Sequence, residues 1–481
     1  MGYKLKENMM YNVGYQFINL LVPLATIPYI SRILGVNGVG LYSFTFSIVS
    51  IATTFAALGG DAHGNRCIAS SKEDVKERSK EFIGVFIVQI VASFISIVFY
   101  LIYSLKSSEY TILLLWQGIN LLACLFNVNW FFYGLGNFKY MIKRNIFVKI
   151  ISLVSIFIFV KSENDVWIYI AILSLCNLIS AIVVWPKVLK SICFVKIEIQ
   201  DIMIHVEPML KLFISVLAIS LYKKMDKVMI GAFSSITQNG YYENVDKILQ
   251  IPTSIISAVG LVMLPQITRM IAMDKEDESI KLMNRIIQIL IILSGAMCFG
   301  ILAVSKELVI VFFGNEFLEC VNLMNLLAVV IIFQTISNML RSAYLIPHCY
   351  DNIYLKSTIS GTIINLVLNV LLISKYGAYG AAIATIAAEF MVVVVQLFFI
   401  RGEINIMSYM KQVIESILCA IPMYILIMKL KIFLSFNETI NLIIEVFSGL
   451  LIYVAIFGLY LFVVKRKSIK EYFMLQHTDK M

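Results

Sequence analysis

The chain has 481 residues, of which 60% are hydrophobic and 14% charged, against roughly a quarter charged in an ordinary soluble protein. A membrane-crossing helix uses about 20 apolar residues, so a supply of about 290 covers about 14 spans. This excludes a soluble enzyme, a nucleic-acid binder and a secreted disulfide scaffold. The net charge of +9 then becomes a question of where the positive charges sit relative to a membrane.

In chain order, the apolar run 9–30 behind Met1–Lys6 is too long for a signal-peptide core and has no small-residue cleavage site, so it reads as a retained first span. Apolar runs bounded by charge predict spans at 9–31, 39–60, 82–104, 111–133, 146–160, 166–185, 209–232, 250–273, 284–305, 321–346, 356–374, 379–400, 411–429 and 440–464. All are expected to be helices, because hydrocarbon offers no partner to an open backbone group. The fold class is therefore an all-α polytopic membrane protein.

With the N-terminus placed inside, 28 of the 39 Lys and Arg fall in inner segments and 8 in outer ones. Three more, Lys223, Lys224 and Lys227, lie within the seventh span. This alternation predicts cytoplasmic termini. Lys72, Lys76, Arg78 and Lys80 interleave with Glu73, Asp74, Glu77 and Glu81, the pattern of a solvated loop beside anionic lipid. The longest outer connections, 233–249 and 306–320, are too short for a catalytic domain, and no G-x-x-x-x-G-K-[ST] phosphate loop occurs. A secondary transporter or flippase is the class that remains.

The wide inner connection 186–208 separates two six-span halves, a repeat arrangement known in transporters. The expected organisation is a six-helix lobe over 1–190, a second over 191–402, two added spans in 403–465 and a cytoplasmic tail over 466–481. The halves echo each other: the outer end of span one (Arg32, Gly35, then Gly38, Gly40 and Tyr42) and that of span seven (Lys227, Gly231, then Gly240, Tyr241 and Tyr242) each carry a cation, a glycine and a Gly-Tyr entry to the next span. Tight turns that admit only small residues account for part of this echo.

Charges inside spans are costly and usually face a bundle interior or water. Span seven carries Lys223, Lys224, Asp226 and Lys227, with Asp226 placed to pair with Lys223, so a net positive face remains. Snorkelling to the head groups is the alternative for at least one lysine. With Arg32 at the same level and Arg341 near the end of span ten, these cations suit an anionic cargo such as a phosphate or pyrophosphate. Glu389, in the middle of span 12, is either a proton- or sodium-coupling group or the partner of a buried lysine. Glu415 and Glu445 are expected to pair with each other or lie near an interface. Prolines 23, 28, 252, 265, 347 and 422 mark bends. Eight cysteines without a CxxC pair read as core residues. Histidines 63, 205, 348 and 477 show no metal-ligand spacing, so neither a metal nor a cofactor is expected.

Several stretches together resemble the bacterial polysaccharide repeat-unit flippases, which share a superfamily with the multidrug and toxin extruders. They are Pro28-Tyr29-Ile30-Ser31-Arg32-Ile33-Leu34-Gly35 with Gly38-Val39-Gly40-Leu41-Tyr42-Ser43, Gly64-Asn65-Arg66, and Asp226-Lys227-Val228-Met229-Ile230-Gly231. Gly240-Tyr241-Tyr242-Glu243-Asn244, Val262-Met263-Leu264-Pro265, Tyr344-Leu345-Ile346-Pro347 and Gly377-Ala378-Tyr379-Gly380-Ala381-Ala382 complete the set. The resemblance runs over essentially the whole chain. It implies two six-helix lobes around a cationic cavity plus two further helices. It also implies an undecaprenyl-pyrophosphate-linked oligosaccharide as cargo, a proton or sodium gradient as drive, and a place beside polysaccharide polymerase and chain-length machinery. A cation-coupled multidrug antiporter of the same fold is the rival reading. Where many relatives carry a Tyr-Gly pair, this chain has Ala62-His63-Gly64.

Overall fold

The structure is a computed structural model that describes residues 2–71, 74–403 and 406–463, with side chains from residue 22 onward apart from position 261. The expected tail over 466–481, like Lys72 and Glu73, lies outside the described residues. Every regular element among the described residues is helical, as required of a chain in hydrocarbon, where each N–H and C=O must be satisfied within its own segment.

Among the described residues, twelve helices are long and apolar enough to cross a membrane. One of them, Val22–Ser70, contains two spans, because Gly35 leaves the helical region at φ 63° and breaks Gly2–Ala57 in the middle. Phe138–Phe159 is a further helix of spanning length whose Lys139, Lys143, Arg144 and Lys149 lower its apolarity. With these two the tally reaches about fourteen, and each predicted span coincides with a helix or a helix pair. The helices overrun the spans: Glu276–Phe312 and Ile199–Phe233 begin a turn or more outside their apolar runs, since a helix continues into the head-group layer where charged side chains are solvated.

The chain divides into two compact units, Met1–Glu243 and Asn244–Met481. The sequence expectation set the boundary at 190/191. It falls later because helix Ile199–Phe233 packs on Gly2–Ala57 and Val75–Lys106, within the first unit. In this unit a cluster of Phe82, Trp130, Phe131, Phe132, Met141 and Met209 is almost wholly buried. Its polar atoms are satisfied, with the Trp130 indole donating to Gln89 (3.2 Å) and the Gln89 amide donating to the carbonyls of Cys124 and Asn127 (2.9 Å each). Arg144, buried near the end of its span, donates to Asn129 (2.9 Å) and to the carbonyl of Ser180 (3.0 Å). In the second unit, Asp351–Tyr376 and Ala378–Phe399 form a hairpin turned at Gly377 (φ 55°). Helices Ile406–Lys431 and Glu438–Val463 pack on Glu276–Phe312 around Tyr453 and Phe457.

The two echoed glycine segments cross each other in the first unit. A Cβ on Gly40 would run into the carbonyl oxygen of Ile236, and one on Gly240 into the carbonyl oxygen of Val36. The side-chain amide of Asn239 donates to the carbonyl of Gly40 at 3.0 Å. The echo therefore marks a reciprocal backbone approach, closer than any side chain allows. Because the obstacle is backbone and cannot swing aside, Gly40→Ala and Gly240→Ala should each destabilise the protein by about 1–3 kcal/mol. The contrasting variant Gly300→Ala, whose added Cβ meets open space, should leave the unfolding midpoint in detergent nearly unchanged.

Candidate functional site

The basic segment of helix Ile199–Phe233 shows three distinct environments. Lys223 is exposed. Lys224 is half-buried with its ammonium 5.1 Å from the centre of the Phe46 ring. Lys227 is buried at 4% exposure and forms a 2.6 Å ion pair with Glu243, itself 7% exposed. Glu243 also accepts a hydrogen bond from Ser43 at 2.9 Å, and the neighbouring Tyr242 hydroxyl donates to Asp226 at 2.8 Å. Sequence reasoning provided one carboxylate, Asp226, for three lysines. The fold brings a second, Glu243, because the helix starting at Ile236 runs back along the segment that carries the lysines. The Gly-Tyr-Tyr-Glu motif held that residue in plain view, but it sat in what read as a connecting loop. Arg32 is exposed just before the Gly35 break.

The same helix borders a wholly different surface nearer its start. Ile202, Met203 and Val206 join Ile51, Phe55, Val91, Ile95 and Phe99 around a groove of about 780 Å³ with almost no polar lining. From Val206 to Lys223 is about 25 Å along a helix. One element thus carries an apolar groove and, further along, a cationic segment.

In the second unit Glu389 is buried at 5% exposure and accepts from the Gln334 amide at 2.8 Å. Arg341 is exposed, stacks its guanidinium 4.7 Å over the Tyr354 ring and opens the π-helical turn Arg341–Leu345. Such turns insert a residue into the helix and re-aim its neighbours. Glu415 and Glu445 were expected to pair with each other or to lie near an interface. Glu445 faces Lys431, the last residue of helix Ile406–Lys431, at 3.6 Å, and Lys431 also pairs closely with Glu307.

A last cluster was only half visible in the linear pattern. His63 and Cys67 sit one turn apart on helix Gly60–Ser70, and His205, 142 positions beyond His63, meets them from helix Ile199–Phe233. The nitrogens His63 Nε2 and His205 Nδ1 are 2.9 Å apart, and Cys67 Sγ is 3.4 Å from His63 Nε2. The His-x-x-x-Cys spacing on one helical face was the available signal.

The sequence pattern of the polysaccharide biosynthesis protein family matches residues 5–271. The chain belongs to this family. A candidate O-antigen transporter of Escherichia coli (strain K12) is 23% identical over 404 residues, 83% of this chain and 97% of that one. A candidate low-salt glycan biosynthesis flippase of Haloferax volcanii, Agl15, is 26% identical over 240 residues, half of each chain. Among solved structures, the lipid II flippase MurJ in an inward closed conformation superposes with a TM-score of 0.76 at 14% identity, covering 94% of this chain and 99% of that one. The two chains share a helical membrane-protein fold.

Of the residues singled out by sequence, the fold gathers Asp226 and Lys227 into one buried polar group with Tyr242, Glu243 and Ser43. It leaves Lys223 and Arg32 on exposed surface of the first unit. Arg341 and Glu389 occupy separate positions in the second, on the π turn and in helix Ala378–Phe399. Removing one member of a buried ion pair strands the other charge, which typically costs roughly 3–5 kcal/mol. Lys227→Met and Glu243→Gln should each destabilise the first unit by that order. The double variant Lys227→Met/Glu243→Met should recover much of the loss. Denaturant unfolding in detergent micelles measures the cycle.

Proposed function

We propose that this protein is a transporter, not an enzyme, and that it flips a lipid-linked oligosaccharide from the inner to the outer leaflet of a bacterial cytoplasmic membrane for surface polysaccharide assembly. The lipid carrier is undecaprenyl pyrophosphate, and both termini are cytoplasmic. Polymerase and chain-length machinery are the partners that would consume the product. The observation that carries the reading is the pairing on one helix of exposed and half-buried cations, Lys223 and Lys224, with an apolar groove. A pyrophosphate head needs charge-assisted contacts, and an isoprenoid tail needs a surface with no polar group to desolvate. Membership of the polysaccharide biosynthesis family and the O-antigen and glycan-flippase functions for which the relatives are named support the same substrate class.

In this reading Lys223 and Lys224, with Arg32 as a further cation, hold the pyrophosphate during passage. Lys227 acts through structure, since its ammonium is neutralised by Glu243. Transport proceeds by alternating access driven by a proton or sodium gradient, with Glu389 as the coupling carboxyl. Its hydrogen-bonded neighbour Gln334 is neutral and accommodates either charge state.

The double variant Lys223→Ala/Lys224→Ala should lower surface polysaccharide several-fold in a complemented deletion strain, at normal protein abundance in the membrane. Unchanged polymer would remove these lysines from the substrate path. Glu389→Gln should make transport insensitive to dissipation of the ion gradient, read as residual polymer export with and without an ionophore. Full gradient dependence in this variant would assign coupling elsewhere.

A further inference from the structure

The cluster of His63, Cys67 and His205 plays no part in the proposed transport. His63 and Cys67 are separated by one helical turn and project from the same face of Gly60–Ser70. His205 is 3% exposed. The three potential ligand atoms, one from each residue, lie within 4.8 Å of one another. In a tetrahedral zinc site with Zn–N distances of about 2.0–2.1 Å, neighbouring ligand nitrogens are about 3.3 Å apart. The observed His63–His205 separation of 2.9 Å therefore needs to open by only a few tenths of an ångström. An ordinary hydrogen bond between the two imidazoles explains that one contact. The Cys67 thiol is within hydrogen-bond reach of the same His63 nitrogen at 3.4 Å, and neither bond explains the arrangement behind His205.

That arrangement has the form of a metal-ligand support. The other ring nitrogen of His205 faces the Glu81 carboxylate at 3.9 Å, longer than a hydrogen bond; a shift of under ~1 Å would give the relation by which a carboxylate orients a ligating imidazole. The adjacent Lys80 binds Asp201 at 2.7 Å, one turn before His205, so two successive residues of Val75–Lys106 grip one face of the His205 helix. Gly84 lies flush against the His205 ring, where a Cβ would come within 2.6 Å of Cδ2 and Nε2. On the opposite helix, Gly64 lies flush against the Trp130 indole, leaving no room for a side chain. The imidazole of His205 and the helix bearing His63 and Cys67 are thus held in place before any ion arrives. Glu81 is partly exposed, with a side-chain accessibility of 26%, which provides an approach from solvent.

We propose that His63 Nε2, His205 Nδ1 and the Cys67 thiolate bind one zinc-class divalent ion, with water as the fourth ligand, and that the ion fastens helix Gly60–Ser70 to helix Ile199–Phe233. Binding releases the thiol proton to solvent, and the proton between the two imidazoles passes to His63 Nδ1 by tautomer exchange, since all three ligands coordinate through lone pairs. Two imidazoles and a thiolate select zinc or cobalt over magnesium and calcium, which take oxygen ligands.

The test uses the full-length protein without a histidine tag, purified in detergent, reduced and stripped of metal with a chelator. Cobalt(II) titration should saturate at one equivalent. It should produce tetrahedral visible bands together with a thiolate-to-cobalt charge-transfer band, and zinc should abolish both. Cys67→Ser should remove the charge-transfer band, and His63→Gln should weaken zinc at least tenfold in a competition with a chromophoric chelator. Cys349→Ser, which alters the exposed thiol next to His348, should leave the spectrum intact. Absence of a stoichiometric thiolate band in the unaltered protein would overturn the proposal without reference to any variant. Persistence of that band in Cys67→Ser would equally overturn it. Neither result bears on polysaccharide export, so the site and the transport reading stand or fall separately.

Discussion

Hydrocarbon cannot solvate a polar group, and this constraint shapes every level of the molecule. It requires each backbone N–H and C=O to close within a helix, which is why the described residues contain no other regular structure. It then acts on side chains. A buried charge persists only beside an opposite charge or a set of hydrogen bonds, and the interior follows that rule. Lys227 has Glu243, Lys431 has Glu307 and Glu445, and Arg144 has Asn129 and the Ser180 carbonyl. Charges without such enclosure, Lys223 and Arg341 among them, are exposed.

The constraint also separates two roles that look alike in a sequence. Three lysines within five residues suggest one cationic surface. In the fold they divide into a structural cation locked in an ion pair, a half-buried one resting on Phe46, and an exposed one. The distinction depends on Glu243, which is 16 residues further along the chain from Lys227 and reaches it only because two helices lie side by side.

Glycine has a similar double meaning. The echo between Gly38, Gly40 and Tyr42 and Gly240, Tyr241 and Tyr242 suggested repeated turns. Gly35 and Gly377 do break or turn the chain at positive φ. Gly40 and Gly240 lie inside helices, and their missing side chains let two backbones meet. The same residue type answers a dihedral requirement in one place and a steric one in another, and only the packing shows which.

The sequence by itself determined the class, the span positions and the family. These depend on local composition, on runs of about 20 apolar residues and on short motifs, all of which are readable without knowing what touches what. It also pointed to Glu389 and the span-seven lysines, because a charge in an apolar run is conspicuous wherever it faces. The tertiary structure decided the partners. Glu243 for Lys227, Gln334 for Glu389 and His205 for His63 and Cys67 come from other helices. It also decided that helix Ile199–Phe233 packs with the first unit and not the second. Helical periodicity fixes which face a residue occupies, but the neighbour across that face is set by which helices pack together, and no local stretch of sequence encodes that choice.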